Sequence, residues 1–171
     1  MFTNFEEIYA DYFDFAWRSL RRLGVPLAQV NDAAQEVFIV VHRRLPDFEA
    51  RSSLKTWIFG IALRVASEER RSARRRPEAP LDSDLPARAI SDPHEAVARA
   101  QAVRVLYALL DKLSDEKREV FVLAELEQMT APEIAELLSI NLNTVYSRLR
   151  AARRDFDAAL SARRNATGNV P

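Results

Sequence analysis

Residues 77–95, PEAPLDSDLPARAISDPHE, hold four prolines (Pro77, Pro80, Pro86 and Pro93) among scattered Asp and Ser. Proline removes a backbone donor and disfavours helix in the residue before it, so no long regular element is expected to run through this stretch. It divides the 171 residues into two halves that must each close a small core, near the lower size limit for independent folding. Fully extended it would reach about 60 Å, at about 3.3 Å per residue. The stretch reads as a flexible linker between a domain at 1–76 and another at 96–171. Three Gly in the whole chain, against many Ala, Leu, Arg and Glu, favour helix over sheet. The expected fold class is all-α: two small helical domains on a Pro-rich linker, the second with a helix-turn-helix.

In the first half, Phe5, Ile8, Tyr9, Tyr12, Phe13, Ala16 and Leu20 recur at helical spacing and predict a helix from about Asn4 to Leu23 with an aromatic core face. Gly24 and Pro26 stop it. A second helix is expected over about Leu27 to Leu45, with Val30, Ala33, Ala34, Val37, Phe38, Val40 and Val41 buried. Offsets of three and four residues put Asp32, Gln35, Glu36, Ile39 and Arg43 on its opposite face, a docking surface for a basic partner or an ordinary wet face. After Pro46, the segment DFEARSS reads as an exposed loop. Ser53 can cap a third helix that turns Leu54, Trp57, Ile58, Ile61, Ala62 and Val65 inward and runs out into SEERRSARRR. The basic helix end, with Arg64, Arg70, Arg71 and Arg74, lies beside a loop bearing Phe48, Arg51, Ser52, Lys55 and Thr56. This combination suits single-stranded DNA: charge for the backbone, an aromatic and small polar groups for an unstacked base. A solvated, dipole-favoured helix end is the other reading.

The second half is organised by Thr130 to Arg154. Thr130 and Glu133 have capping-box spacing, and Pro132 falls in the first turn. Ile134, Leu137 and Leu138 form one stripe, Ser139 to Asn141 the break, and Asn141 an N-cap for a helix burying Val145, Leu149, Ala152 and Phe156. Its other faces carry Thr144, Tyr146, Ser147, Arg148, Arg150, Arg153 and Arg154. The pattern fits a helix-turn-helix whose second helix enters a major groove, where hydroxyls and guanidinium groups meet phosphates and base edges. A helical hairpin with a solvated basic face is the alternative. Upstream, a helix from about Ala96 to Leu113 sets Val97, Ala100, Val103, Leu106, Tyr107 and Leu110 on one side. Ser114 caps the next, whose stripe is Val120, Phe121, Leu123, Ala124 and Leu126. The end, NATGNVP, reads as disordered.

Net charge is zero, but two Arg-rich patches, 64–76 and 146–164, can bind one polyanion at two places. No Cys and two separated His (His42 and His94) argue against a disulfide framework, a zinc finger or another metal site. No Gly-rich phosphate loop or nucleophile–base pair points to an enzyme, and no catalytic residue or cofactor is expected. Without a signal peptide or membrane-length apolar run, the chain reads as cytoplasmic.

These blocks in this order, DAAQEVFIVVHRRL, a loop with FEARSS, LKTWIFGIALRVA with its basic run, a Pro-rich linker, and LSDEKREVFVLAELEQMTAPEIAELLSINLNTVYSRL, resemble bacterial sigma factors of the two-domain extracytoplasmic-function group. The resemblance spans about Phe5 to Leu160. It implies a promoter-specificity subunit of RNA polymerase, responsive to stress or another signal, that takes its chemistry from the core enzyme. On it, Asp32, Gln35 and Glu36, with Ile39 and Arg43 beside them, dock on the beta-prime clamp helices. Phe48 to Ser53 (among them Arg51 and Ser52), with Lys55, Thr56 and Trp57, capture an unpaired minus-ten base and help melt the promoter. Thr144, Tyr146, Ser147, Arg148 and Arg153, beside Asn143, Arg150 and Arg154, read the minus-thirty-five duplex. The second domain meets the beta flap, an anti-sigma factor is an expected partner, and the chain is a monomer on polymerase. The large N-terminal inhibitory region and third domain of bigger relatives are expected to be absent.

Arg64 stands where the family often has Asn, Gly60 where it often has a basic residue, Asn143 for a frequent Gly and Tyr146 for a frequent Lys or Arg. Ala151 follows Arg150, so one charge has moved by one position, about 100° around the helix. Two other functions are compatible with the residues. One is a free-standing helix-turn-helix regulator binding duplex operators without polymerase. The other is a helical adaptor whose Arg patches bind acidic protein.

Overall fold

The computed structural model describes residues 4–75 and 93–167; residues 77–92 of the linker expected at 77–95, and the last four residues, lie outside them. Every regular element among the described residues is helical. The chain divides into two compact units, residues 1–84 and 85–171.

The first unit holds α1 (Phe5–Arg22), α2 (Val30–Arg44) and α3 (Leu54–Arg75). Each packs on the other two. The Asn4 side chain accepts a bond from the Glu6 N–H at the start of α1. At its end Gly24 takes φ 91°, a left-handed conformation that costs Gly little. The Val25 N–H then reaches back to the Leu20 carbonyl at 3.1 Å. Residues 27–29, expected as helix, form a turn instead: Gln29 N–H donates to the carbonyl of Pro26, and α2 starts at Val30. Ile8, Leu20, Val30, Val37, Val41 and Ile58 are fully buried, each worth about 1.5–3 kcal/mol. Trp17, Phe59 and Leu63 join this core although they lie beside the expected stripes. The Trp17 indole N–H donates to Asn31 at 2.8 Å, so the ring can be buried with its polar atom satisfied. Tyr9, expected in the core, is 40% exposed. Val40 is half-buried.

The second unit holds α4 (Pro93–Leu110), α5 (Asp115–Phe121), a π-turn (Val122–Leu126), α6 (Ala131–Leu138) and α7 (Leu142–Thr167). α4 begins three residues inside the expected linker, since Pro93 is tolerated in a first turn, and ends three residues early in a turn at 111–113. Val97, expected to be buried, is 68% exposed. Ser114 holds the N-cap position of α5, but its side chain makes no cap bond. Asn165–Thr167, expected as disordered tail, continue α7. The core is Tyr107, Leu110, Val120, Val122, Leu123, Ile134, Val145 and Ala152. Phe156 is half-buried and stacks on Phe121 at 4.6 Å.

Each unit buries one arginine. Arg70 is 6% exposed and donates to the Leu23 carbonyl, tying the end of α3 to the turn after α1. Arg118, also 6% exposed, donates to the carbonyls of Leu110 and Leu113. Asp111 and Asp115 lie 3.7 and 3.8 Å from its guanidinium. A buried guanidinium is tolerated when its donors find fixed acceptors.

Candidate docking and nucleic-acid interfaces

The helical period of α2 brings Asp32, Gln35, Glu36, Ile39 and Arg43 onto one exposed face. Asp32, Glu36 and Arg43 make no ion pair among the described residues. The Ile39 side chain is 44% exposed in the middle of this face. A shallow groove runs alongside, lined by Phe5, Tyr9, Gln35, Phe38, Ile39, His42 and Arg43. Phe5 meets the His42 ring edge-on at 4.8 Å, and Tyr9 meets Phe38 at 4.9 Å. Of the aromatics expected in the core, Phe38 is buried there, Phe5 is half-buried and Tyr9 is exposed. An exposed Tyr9 could not be told from a buried one by helical period alone.

The residues of the expected minus-ten set stand at the loop 48–53 and along α3. Ser53 caps α3: its hydroxyl accepts the Thr56 N–H at 3.1 Å and lies 2.9 Å from the Thr56 hydroxyl. This bond fixes the loop's exit, and Ala50 reverses the chain at φ 53°. Phe48 packs on Trp57 with ring centroids 4.9 Å apart, so the two aromatics form one half-buried platform. Lys55 sits over the Phe15 ring at 4.8 Å, a cation–π contact. Exposed Arg51 pairs with its neighbour Glu49, and Ser52 is exposed beside it. Arg64 is exposed and makes no ion pair or hydrogen bond among the described residues. Arg71 donates to the Ser67 carbonyl at 3.3 Å, and Arg74 is exposed. Arg70 is a correction: expected in this set, it is buried against Leu23 and presents no charge to a ligand. Runs of Arg look alike in sequence; the turn of helix decides which member faces the core.

The helix-turn-helix forms as its caps dictate. The Thr130 N–H and hydroxyl both donate to the Glu133 carboxylate at 2.7 Å. The hydroxyl bond, then the backbone bond, lowers the Glu133 pKa from its ordinary value. Ser139 turns the chain at φ 54°, and the Ile140 N–H reaches back to the Ala135 carbonyl at 3.0 Å. Asn141 opens α7 by accepting the Asn143 N–H at 2.8 Å.

Val145, Leu149 and Ala152 are buried with Phe156 below them, a row spaced 4, 3 and 4. Asn143, Ser147, Arg150 and Arg154 repeat that spacing two residues earlier, about 200° away, and are all exposed. Tyr146 is 53% exposed beside them. Thr144 and Arg148 lie on one flank, half-buried. Arg148 approaches Glu116 of α5 at 3.5 Å. On the other flank Arg153 grips Glu125 at 2.6 Å. Arg154 contacts Asp155 at 3.3 Å, and Asp155 also accepts a bond from Lys117. The Lys117 bond, more than the neighbouring charges, lowers the Asp155 pKa. Asp155 stands beside Arg154 in the sequence, but the carboxylates Glu116 and Glu125 are not legible as part of this surface, because they come from α5 and the π-turn, whose packing only the fold reveals.

Two family models match in the order of the two units: Sigma-70 region 2 over residues 8–76 and Sigma-70, region 4 over residues 104–156. The chain belongs to the sigma-70 family. Relatives place it in the ECF group. The ECF RNA polymerase sigma-E factor of Escherichia coli K12 is 28% identical over 142 residues, 78% of this chain and 74% of that protein. The RNA polymerase sigma-H factor of Pseudomonas aeruginosa is 29% identical over 144 residues, 77% and 73%. The structure of CnrH in complex with the cytosolic domain of CnrY aligns over 92% of this chain and 88% of that one, at TM-score 0.65 and 26% identity. No helix among the described residues of this sigma-70 family member is long and apolar enough to cross a membrane.

Proposed function

We infer that this chain is the promoter-specificity subunit that directs core RNA polymerase to a dedicated promoter set. The observation that carries the reading is the pairing, in one chain, of an exposed acidic face on a region 2 unit with an exposed hydroxyl, amide and guanidinium row on the region 4 recognition helix. Asp32, Gln35, Glu36, Ile39 and Arg43 dock on the beta-prime clamp helices, acid meeting base around an apolar centre. Phe48 with Trp57, and the small polar groups Ser52, Ser53 and Thr56, receive an unpaired minus-ten base by stacking and hydrogen bonding. Arg51, Lys55, Arg64, Arg71 and Arg74 hold the backbone. Asn143, Tyr146, Ser147, Arg150 and Arg154 face the minus-thirty-five major groove, with Thr144, Arg148 and Arg153 on its rims.

The domain assignment follows: residues 1–76 act as region 2, 77–95 as the connector, and 96–171 as region 4, which also meets the beta flap. The chain carries no catalysis of its own; polymerase makes the bonds. It works in the cytoplasm, as one copy per polymerase. CnrH is solved with the cytosolic domain of CnrY, which supports a counterpart for this chain, an anti-sigma factor that holds it until a signal arrives. The test is gel-filtration of the chain with bacterial core polymerase, then binding to promoter DNA. Stoichiometric co-elution and DNA binding that needs core are expected. Tight duplex binding by the chain alone, with no core association, would instead establish the free-standing regulator.

A further inference from the structure

Three arginines of the recognition helix are engaged by carboxylates of this same chain. Arg153 donates from Nε at 2.7 Å and approaches from Nη2 at 2.6 Å, both to one oxygen of Glu125. Arg148, five residues earlier and so about 140° around the helix, approaches Glu116 at 3.5 Å. Arg154 contacts Asp155. Arg150 makes no ion pair or hydrogen bond among the described residues. Glu125 is not placed by an ordinary helix. It sits in the π-turn Val122–Leu126, where the Glu127 N–H reaches the Val122 carbonyl, five residues back. The Glu125 carbonyl in turn accepts the Gln128 amide at 2.7 Å, which helps fix the turn. Single π-turns are frequent at functional sites.

A carboxylate beside a recognition helix repels phosphate and competes with it for the arginine. We propose that Glu125 is a positioning residue for promoter discrimination: by holding the Arg153 fork, it withholds one cation from indiscriminate phosphate contact and leaves Arg150 as the outward guanidinium for base edges. Glu116 does the same more loosely for Arg148 on the other rim. Phosphate contacts raise affinity for every sequence, whereas base contacts separate one sequence from another. Withholding cations from the backbone therefore lowers binding to wrong sequences, a repulsive route to specificity. The inference rests on the reading of α7 as the minus-thirty-five helix.

The experiment uses holoenzyme reconstituted from core polymerase and the full chain, competing for templates whose minus-thirty-five element is either one selected by that holoenzyme from a promoter library or a scrambled one, across a salt series. Wild-type preference for the selected template tests the underlying reading by itself; its absence means that α7 is not the reading helix. Given that preference, Glu125→Gln is expected to lower it several-fold by raising occupancy of the scrambled template. The salt slope on that template is expected to steepen by about one, the signature of one added phosphate contact. In an Arg153→Ala background the same substitution is expected to do nothing, since its effect passes through Arg153. Unchanged preference and slope, an equal loss on both templates, or an effect that survives in the Arg153→Ala background overturns the proposal.

Discussion

The two exposed charged faces are built on opposite terms. On α2, Asp32, Glu36 and Arg43 stand without partners among the described residues. On the groove-facing part of α7, Arg148, Arg153 and Arg154 are each met by a carboxylate of their own unit, while Arg150 makes no ion pair among the described residues. Opposite charge arrangements let a chain of zero net charge recognise two kinds of partner. A protein surface is distinguished by shape and by an apolar centre such as Ile39, so bare charges around it can add steering without confusing partners. Duplex DNA presents the same phosphates at every position, so bare arginines would bind it everywhere.

Arg118 marks the far end of internal compensation, and its loss is the largest effect expected. Arg118→Ala leaves the Leu110 and Leu113 carbonyls and the adjacent acids without their cation, and is expected to destabilise the second unit by about 3 kcal/mol. Both Trp residues lie in the first unit. Urea melts followed by Trp fluorescence are therefore expected to stay put while the helical circular dichroism signal falls early. Coincident movement of both signals would mean that the two units unfold together.

Next is the open face. Glu36→Lys puts like charge before a basic docking surface and is expected to weaken core polymerase binding at least tenfold, about 1.4 kcal/mol or more, with the melt unchanged. Unaltered affinity in a direct binding titration removes α2 from the docking surface. The clear guanidinium follows: Arg150→Ala is expected to cost about 1–3 kcal/mol in minus-thirty-five discrimination. Arg148→Ala, its charge already shared with Glu116, is expected to cost less. Template competition that ranks them the other way breaks the distinction between clear and engaged arginines.

The smallest effect concerns the cap. Thr130→Ala removes the N-cap hydroxyl of α6, at about 1 kcal/mol, read as a lower melting midpoint. It also removes the chief cause of the lowered Glu133 pKa. A carboxyl with a lowered folded pKa stabilises fully above its unfolded value and loses that contribution as pH falls through the lowered one. The wild type is thus expected to lose part of its stability in that acid window, and the variant less.

Much of this was legible in the sequence. The caps at Ser53, Thr130 and Asn141 are local chemistry, and each falls at the expected residue. So does the buried row of α7, because a 3.6-residue period over many residues leaves little choice of face. The burial of Trp17 and Arg70 was not legible. Each depends on a polar partner, Asn31 or the Leu23 carbonyl, brought close only by packing. The exposure of Tyr9 and Val97 was equally hidden, since an apolar residue on an apolar stripe needs another element to cover it. The π-turn has no sequence signature, and with it the place of Glu125 was out of reach.

Use of these two faces together, on polymerase and promoter, is read most directly by transcription with bacterial core polymerase, with and without the protein, across a library of promoter sequences. Transcripts that require the protein and share two upstream motifs at fixed spacing are expected. Transcription indifferent to the protein, or selected templates sharing a single motif without a fixed partner, would contradict that joint use.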